Sequence, residues 1–487
     1  MPLYVPVLCA LLGGLLLPLL RFSSRRARSA YVFLVTLAAS VCAWVVILSP
    51  AQPELTLIHI TEDFSLRLRA DGMARVFMGL SSFLWPLATL YAFEYMAHET
   101  RENAFFTFYT LSFAVTLLVA MAANLFTMYI FYECLTLVTL PLVTHKNDAR
   151  SAFAGRRYLA YNIGGASLGF IGLMFISFYG GAGDFALGGL LNPALIAGHE
   201  ELLRAVFVLS FVGFSAKAAI FPLSGWLPLA AVAPTPVTAL LHAVAVVKAG
   251  AFAVIRLTYY CFGTELLYGT WAQTIVLCLA AFTIVYGAVM AVREQHLKRR
   301  LAYSTVSNLS YVLLGAALMT KAGMVGALTH LVFHGVMKIT LFYCAGAILI
   351  KTGREYVQDM RGLVKEMPFT VSVFALAGVA MVGIPPFTGF ISKWNLISAA
   401  VAAPQIGSTL GIAALLLSSV LSAVYLLYPA SVMLFMKPDG AALPGRRLDP
   451  SPLMKLPLLI LCAVIVLLGM FSTPLIDFFT RVASGLT

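Results

Sequence analysis

Apolar residues run along this chain in blocks of about twenty, longer than the alternation of a half-buried strand or the one-sided stripe of a soluble helix would give. The blocks fall at 3–20, 29–49, 72–93, 104–122, 124–144, 158–179, 204–221, 237–259, 271–291, 301–320, 322–349, 367–402, 406–433 and 454–475. A helix of about 20 residues rises far enough to cross the roughly 30 Å of hydrocarbon in a bilayer. The pattern therefore predicts fourteen membrane-spanning helices, with 50–70 and 180–203 as longer links. The first block has no basic leader and is followed by many more, so it reads as a span and not as a cleaved signal.

Composition agrees. Of 487 residues, 61% are hydrophobic and 11% charged, against roughly 25% charged in a soluble domain, and the mean hydropathy is +0.93. Most of the 32 lysines and arginines lie in loops after odd-numbered spans, at 21–28, 101, 146–157, 293–300, 351–365 and 437–455. By the positive-inside rule those loops face the cytoplasm, which puts both termini on the non-cytoplasmic side of a cell's inner (plasma) membrane. The formal charge of +12 then reflects topology and contact with anionic phospholipid, and no nucleic-acid partner is implied. Seven cysteines show no metal or cluster spacing. With no P-loop, no Rossmann glycine pattern and no nucleophile triad, neither a metal nor a cofactor is expected in this chain.

A few charges resist this assignment. Lys217, Lys248, Lys338 and Lys393 fall inside apolar blocks, as does one carboxylate, Glu133. A charge at mid-bilayer costs a few kcal/mol or more and normally faces the protein interior or a wet path. In HLVFHGVMK, residues 330–338, His330, His334 and Lys338 recur every four residues and so share one stripe of a helix. Two spans are also broken by their own residues: Pro222, Gly225, Pro228, Pro234 and Pro236 follow Lys217, and Pro385, Pro386 and Gly389 precede Lys393. Non-helical backbone at membrane depth survives only where protein or water satisfies it, and paired interrupted helices point to an ion path. Imidazole accepts a proton at one nitrogen and donates from the other, which suits a relay. A single structural pair between Glu133 and one lysine would leave the other lysines and both histidines unexplained.

The stretches KAAIFPLSGWLP (217–228), APTPVTALLHAVAVVKAG (233–250), LAYSTVSNLSYV (301–312), HLVFHGVMKITLFYCAG (330–346) and GIPPFTGFISKW (383–394) resemble the antiporter-like subunits shared by respiratory complex I, multi-subunit Na⁺/H⁺ antiporters and membrane-bound hydrogenases. DGMARVF (71–77) and FYECLTLVTLPL (131–142) extend the likeness over almost the whole chain. The resemblance implies an all-α membrane fold of about fourteen helices: helices 1–3 in 1–103, two inverted five-helix repeats in 104–259 and 271–433, and a last helix in 454–475, with the seventh and twelfth discontinuous. It assigns proton handling to Glu133, its partner Lys217, the connecting Lys248, the relay His330 and His334 with Lys338 one turn beyond, and the terminal Lys393. The function implied is a proton-translocating subunit of a multi-subunit membrane complex, coupling H⁺ or Na⁺ movement to redox chemistry or cation exchange, with the redox centres in other subunits. A Na⁺/H⁺ antiporter subunit without redox chemistry and a non-pumping assembly subunit are the alternatives. A lone solute transporter is disfavoured, because the polar residues form a spaced row and not one midplane pocket.

This chain departs from the family at two places. Residues 229–234 read LAAVAP where an acidic, histidine-containing stretch is common, and His296 stands where an aspartate is common. Cytoplasmic access is then expected to depend on water, on neighbouring subunits or on His242, six residues before Lys248; otherwise His242 serves as a hydrogen bond tying two helices.

Overall fold

The computed structural model describes residues 2–50, 53–61, 64–181, 183–437 and 447–486. Residues 438–446 of the basic link 437–455, Arg446 among them, lie outside these. The helices are α1 (Tyr4–Leu16), α2 (Arg25–Leu48), α3 (Gly72–Tyr95), α4 (Glu102–Met121), α5 (Leu125–Val143), α6 (Ala149–Gly180), α7 (Glu200–Ser215), α8 (Thr235–Ala243), α9 (Val246–Arg256), α10 (Trp271–Arg293), α11 (Leu297–Ala317), α12 (Lys321–Thr352), α13 (Pro368–Val382), α14 (Thr388–Val401), α15 (Ile406–Phe435), α16 (Pro452–Met470) and α17 (Thr473–Ala483). Among the described residues, ten helical segments are long and apolar enough to cross a membrane. The chain is an all-α polytopic membrane protein.

Local chemistry starts these helices. Asn124 caps α5 through the Thr127 amide at 2.8 Å, and Asp148 with Ser151 forms a capping box on α6, each satisfying amides that a helix start leaves unpaired. Asp71 caps α3 and also receives both arms of Arg256, at 2.6 and 2.7 Å. Arg256, which its position in the sequence places at a span end, is thus buried in a bidentate pair that fastens the end of α9 to the start of α3.

One predicted link is structured. Residues 54–59 (β1) and 65–69 (β2) pair as an antiparallel hairpin, because Leu55, Leu57, Leu66 and Leu68 alternate with polar residues at a period of two. Arg67 reaches Asp184 at 2.9 Å and so ties the hairpin to the link after α6.

α12 is the hub: it packs on α8, α11, α13, α14, α16 and α3. Its long apolar stretch is almost wholly inside the protein, as is the whole of 235–262. The interruptions expected after Lys217 and before Lys393 are present, the first spanning 216–225 and the second parting α13 from α14 at 383–387. A third lies at Val244–Ala245, between α8 and α9, where no proline or glycine announces it. At two interruptions a glycine allows backbones to touch. A Cβ on Gly250 would lie 2.6 Å from the Ala218 amide nitrogen, and one on Gly389 only 1.8 Å from the Ala380 carbonyl oxygen.

Candidate functional site

Lys217 is the second residue beyond the end of α7, so its ammonium enters the core from non-helical backbone. It is fully buried, and its Nζ lies 3.4 Å from Glu133 Oε1 on α5. The same ammonium donates to the Tyr132 carbonyl and sits 3.3 Å from the centre of the Tyr132 ring. Glu133 is 22% exposed along its side chain, so the pair has an enclosed end and one that reaches the surface of this chain. Its expected partnership is present, at the edge of the core and not in its middle.

Lys248 on α9 comes next. Its Nζ is 2.8 Å from His334 Nδ1 on α12, and Gly250, two residues on, packs directly against Lys217. The rings of His334 and His330 stack with centroids 5.7 Å apart. His330 Nδ1 is 3.0 Å from the Ser392 hydroxyl, on the residue before Lys393. Tyr311 fills the same corner, 4.9 Å from the His330 ring and 5.7 Å from Lys393 Nζ. The row from Glu133 to Lys393 thus runs across α5, α9, α12 and α14. Lys248, His334 and His330 are joined by side-chain contact, the Glu133–Lys217 pair is reached through the Gly250 backbone, and Lys393 through Ser392 and Tyr311. Both His330 and His334 keep Nε2 buried with no protein partner among the described residues.

The two remaining lysines are anchored apart. Lys393 Nζ donates to the Val382 carbonyl at 2.8 Å and the Ser419 hydroxyl at 3.1 Å. Lys338 Nζ donates to the Leu301 carbonyl at 3.2 Å and to Ser304 Oγ on α11. Lys338 therefore sits off the row, within electrostatic reach of His242, and shares no hydrogen-bond partner with Lys393 among the described residues. His242 is fully buried against Phe342, and neither ring nitrogen has a protein partner among the described residues. Among the described residues it thus makes no hydrogen bond that ties two helices.

Lys298 is the residue that reading the sequence missed. Its sequence neighbours read as a basic cytoplasmic loop, yet it is 5% exposed, and its Nζ donates to the Ala233 carbonyl at 2.9 Å, within electrostatic reach of His242. It borders a polar cleft of about 680 Å³ beside 228–232, lined also by Lys146, Asp148, His296, Arg299 and Glu355. The ionisable groups missing from 229–234 have counterparts here in the α5–α6 link, in the α10–α11 link with the first turn of α11, and just beyond α12. His296 lies 3.5 Å from Glu355; burial pushes its imidazole below the ordinary value, and Glu355 acts in the opposite sense.

Residues 122–424 match the family described as NADH:quinone oxidoreductase/Mrp antiporter, TM. The chain belongs to this family. It is an antiporter-like membrane subunit of the ion-translocating kind found in multi-subunit complexes. NADH-quinone oxidoreductase subunit N of Desulforudis audaxviator is 32% identical over 432 residues, 85% of this chain and 84% of that protein. Subunit L of Mycobacterium tuberculosis is 36% identical over 361 residues, 73% of this chain but 55% of the relative's length. Among solved structures, a chain of the archaeal membrane-bound sulfane sulfur reductase superposes with a TM-score of 0.83 at 23% identity, covering 99% of this chain and 96% of that one. At that identity the likeness speaks for the fold.

Proposed function

We propose that this antiporter-like subunit conducts protons along the row from Glu133 to Lys393, while the redox or cation-exchange chemistry that drives or uses the movement belongs to neighbouring subunits. The observation that carries the reading is the 2.8 Å contact between Lys248 and His334, which links the helix packed on Lys217 to the helix bearing His330. The Nε2 atoms of His330 and His334, without a protein partner among the described residues, fit rings that take a proton on one side and release it on the other. Buried polar atoms are nearly always hydrogen-bonded, so bridging water is expected there and at His242. From the cleft beside Lys298, His242 and Lys338 offer the cytoplasmic branch. The cargo favoured by this chemistry is H⁺ and not Na⁺, since hard cations take oxygen ligands and the row is mostly amine and imidazole.

The finer architecture proposed is fourteen spans: 1–103, inverted repeats 104–259 and 271–433, and 454–475, with both termini on the non-cytoplasmic side of the inner membrane. A helix on each of the fourteen predicted blocks supports it, as do the glycine contacts beside both lysine-bearing interruptions. Replacing Lys248 by Met tests the function, with ion flux measured on the assembled complex in proteoliposomes. Loss of coupled flux with normal assembly is expected. Full flux would end the proposal and favour a purely structural subunit.

A further inference from the structure

On α12, Val332 and Val336 stand two residues, or about 200°, around from the His330–His334–Lys338 stripe. They face a groove of about 490 Å³ between α2, α3, α12, α16 and α17. Its chemistry is graded along its length. Arg75 lines it in the first turn of α3 and Arg481 in the last turn of α17, whereas Gly79, Leu80 and Phe83 continue along α3 with no polar side chain. From Arg75 to Phe83 is eight residues, about 12 Å of helix, close to the roughly 15 Å of hydrocarbon in one leaflet. The Arg75 guanidinium is held at the mouth by a 3.0 Å hydrogen bond to the Ser49 carbonyl. Arg481 is exposed and lies 5.8 Å from the Phe478 ring, another lining residue. The one carboxylate of α17, Asp477, does not line the groove.

We propose that the groove binds one acidic phospholipid, with an acyl chain along α3 and the headgroup phosphate at the exposed Arg481, at the basic end of the groove. Guanidinium groups pair well with phosphate oxygens, and an apolar trough one leaflet deep suits a lipid tail, not a soluble anion. Leu80 also contacts α12 beside the relay, since a Cβ on Gly335 would lie 3.2 Å from its side chain. A tail in the groove therefore covers the wall behind the histidines. The site stands whether or not the row conducts protons.

The test is native mass spectrometry of the full chain in its membrane complex, after exchange into nanodiscs of phosphatidylcholine with or without phosphatidylglycerol. Phosphatidylglycerol should be retained in preference to phosphatidylcholine, and Arg481→Gln should lower its retention about fivefold while leaving phosphatidylcholine unchanged. Gly79→Leu should lower retention of both, because a Cβ there meets only Trp44, at 3.8 Å, and the leucine grows into the groove. If that variant fails to assemble, the exposed Arg481 decides alone. Equal retention of the two lipids, unchanged phosphatidylglycerol in Arg481→Gln, or cross-linking that finds a neighbouring subunit's helix in the groove would each overturn the proposal.

Discussion

Replacing Glu133 by Gln removes the one carboxylate of the row while keeping its shape. At the observed 3.4 Å, two unit charges in an effective dielectric of about 20 attract by ~5 kcal/mol. Burial costs both groups part of this through lost solvation, and about half, ~2.5 kcal/mol, is a reasonable working value. Each ~1.36 kcal/mol is tenfold in rate. If every transfer through Lys217 uses that attraction, coupled flux should fall by about two orders of magnitude. Assembly should survive, because Lys217 keeps the Tyr132 carbonyl and the face of its ring. The assay is redox- or cation-driven proton movement in proteoliposomes, with subunit stoichiometry checked by gel. A fully assembled variant that pumps within a factor of about two of the native complex would show that the pair is a structural tie.

Three further outcomes follow from the same geometry. His242→Ala should lower proton flux several-fold with normal assembly, since among the described residues the ring makes no protein hydrogen bond whose loss would loosen α8; unchanged flux removes His242 from the path. Gly250→Ala places a Cβ 2.6 Å from the Ala218 amide and 2.9 Å from the Lys217 Cβ, an overpacking expected to cost ~1–3 kcal/mol; a thermal melt equal to that of the native complex would contradict the close approach. Because the folded His296 titrates below its ordinary value of about 6.5, its contribution is intact above that pH and is lost as pH falls from there through its lowered folded value. Hydrogen-exchange protection of 294–300 should therefore fall on acidification and respond less in His296→Gln, and identical profiles would remove His296 as the cause.

The intramembrane charges were legible because they violate the composition around them: a lysine in a run such as AVAVVKAG has no place facing lipid. The proline-rich breaks were legible for the same reason, since each proline deletes a backbone donor where no water is at hand. The anchors of those charges were not. Lys338 is held by the Leu301 carbonyl and Ser304, and Lys298 by the Ala233 carbonyl, partners with no signature because every residue has a carbonyl and serines are common in membrane helices. The interruption at Val244–Ala245 lies in residues that favour no break, and tertiary packing imposes it. Lys298 looked like a loop residue because it adjoins Arg299 and Arg300, and only the fold turns it inward.

Lys217 and Lys393 look equivalent in sequence, each an intramembrane lysine beside a broken span, but the structure compensates them differently. Lys217 has a carboxylate within 3.4 Å, whereas Lys393 has the Val382 carbonyl and the Ser419 hydroxyl. A buried charge needs compensation, and a fixed anion supplies more of it at short range than two dipoles do. On the proposed reading, positive charge entering the row is therefore favoured at the Glu133 end and is only transiently stable at the Lys393 end. Ser419→Ala should accordingly disturb flux less than Glu133→Gln in the same assay. It removes one of two dipoles and leaves the Val382 carbonyl, while the Glu133 change removes the one carboxylate among the row's named residues. The opposite ranking, in two variants that assemble equally well, would mean that the second half and not the first sets the energetics of the row.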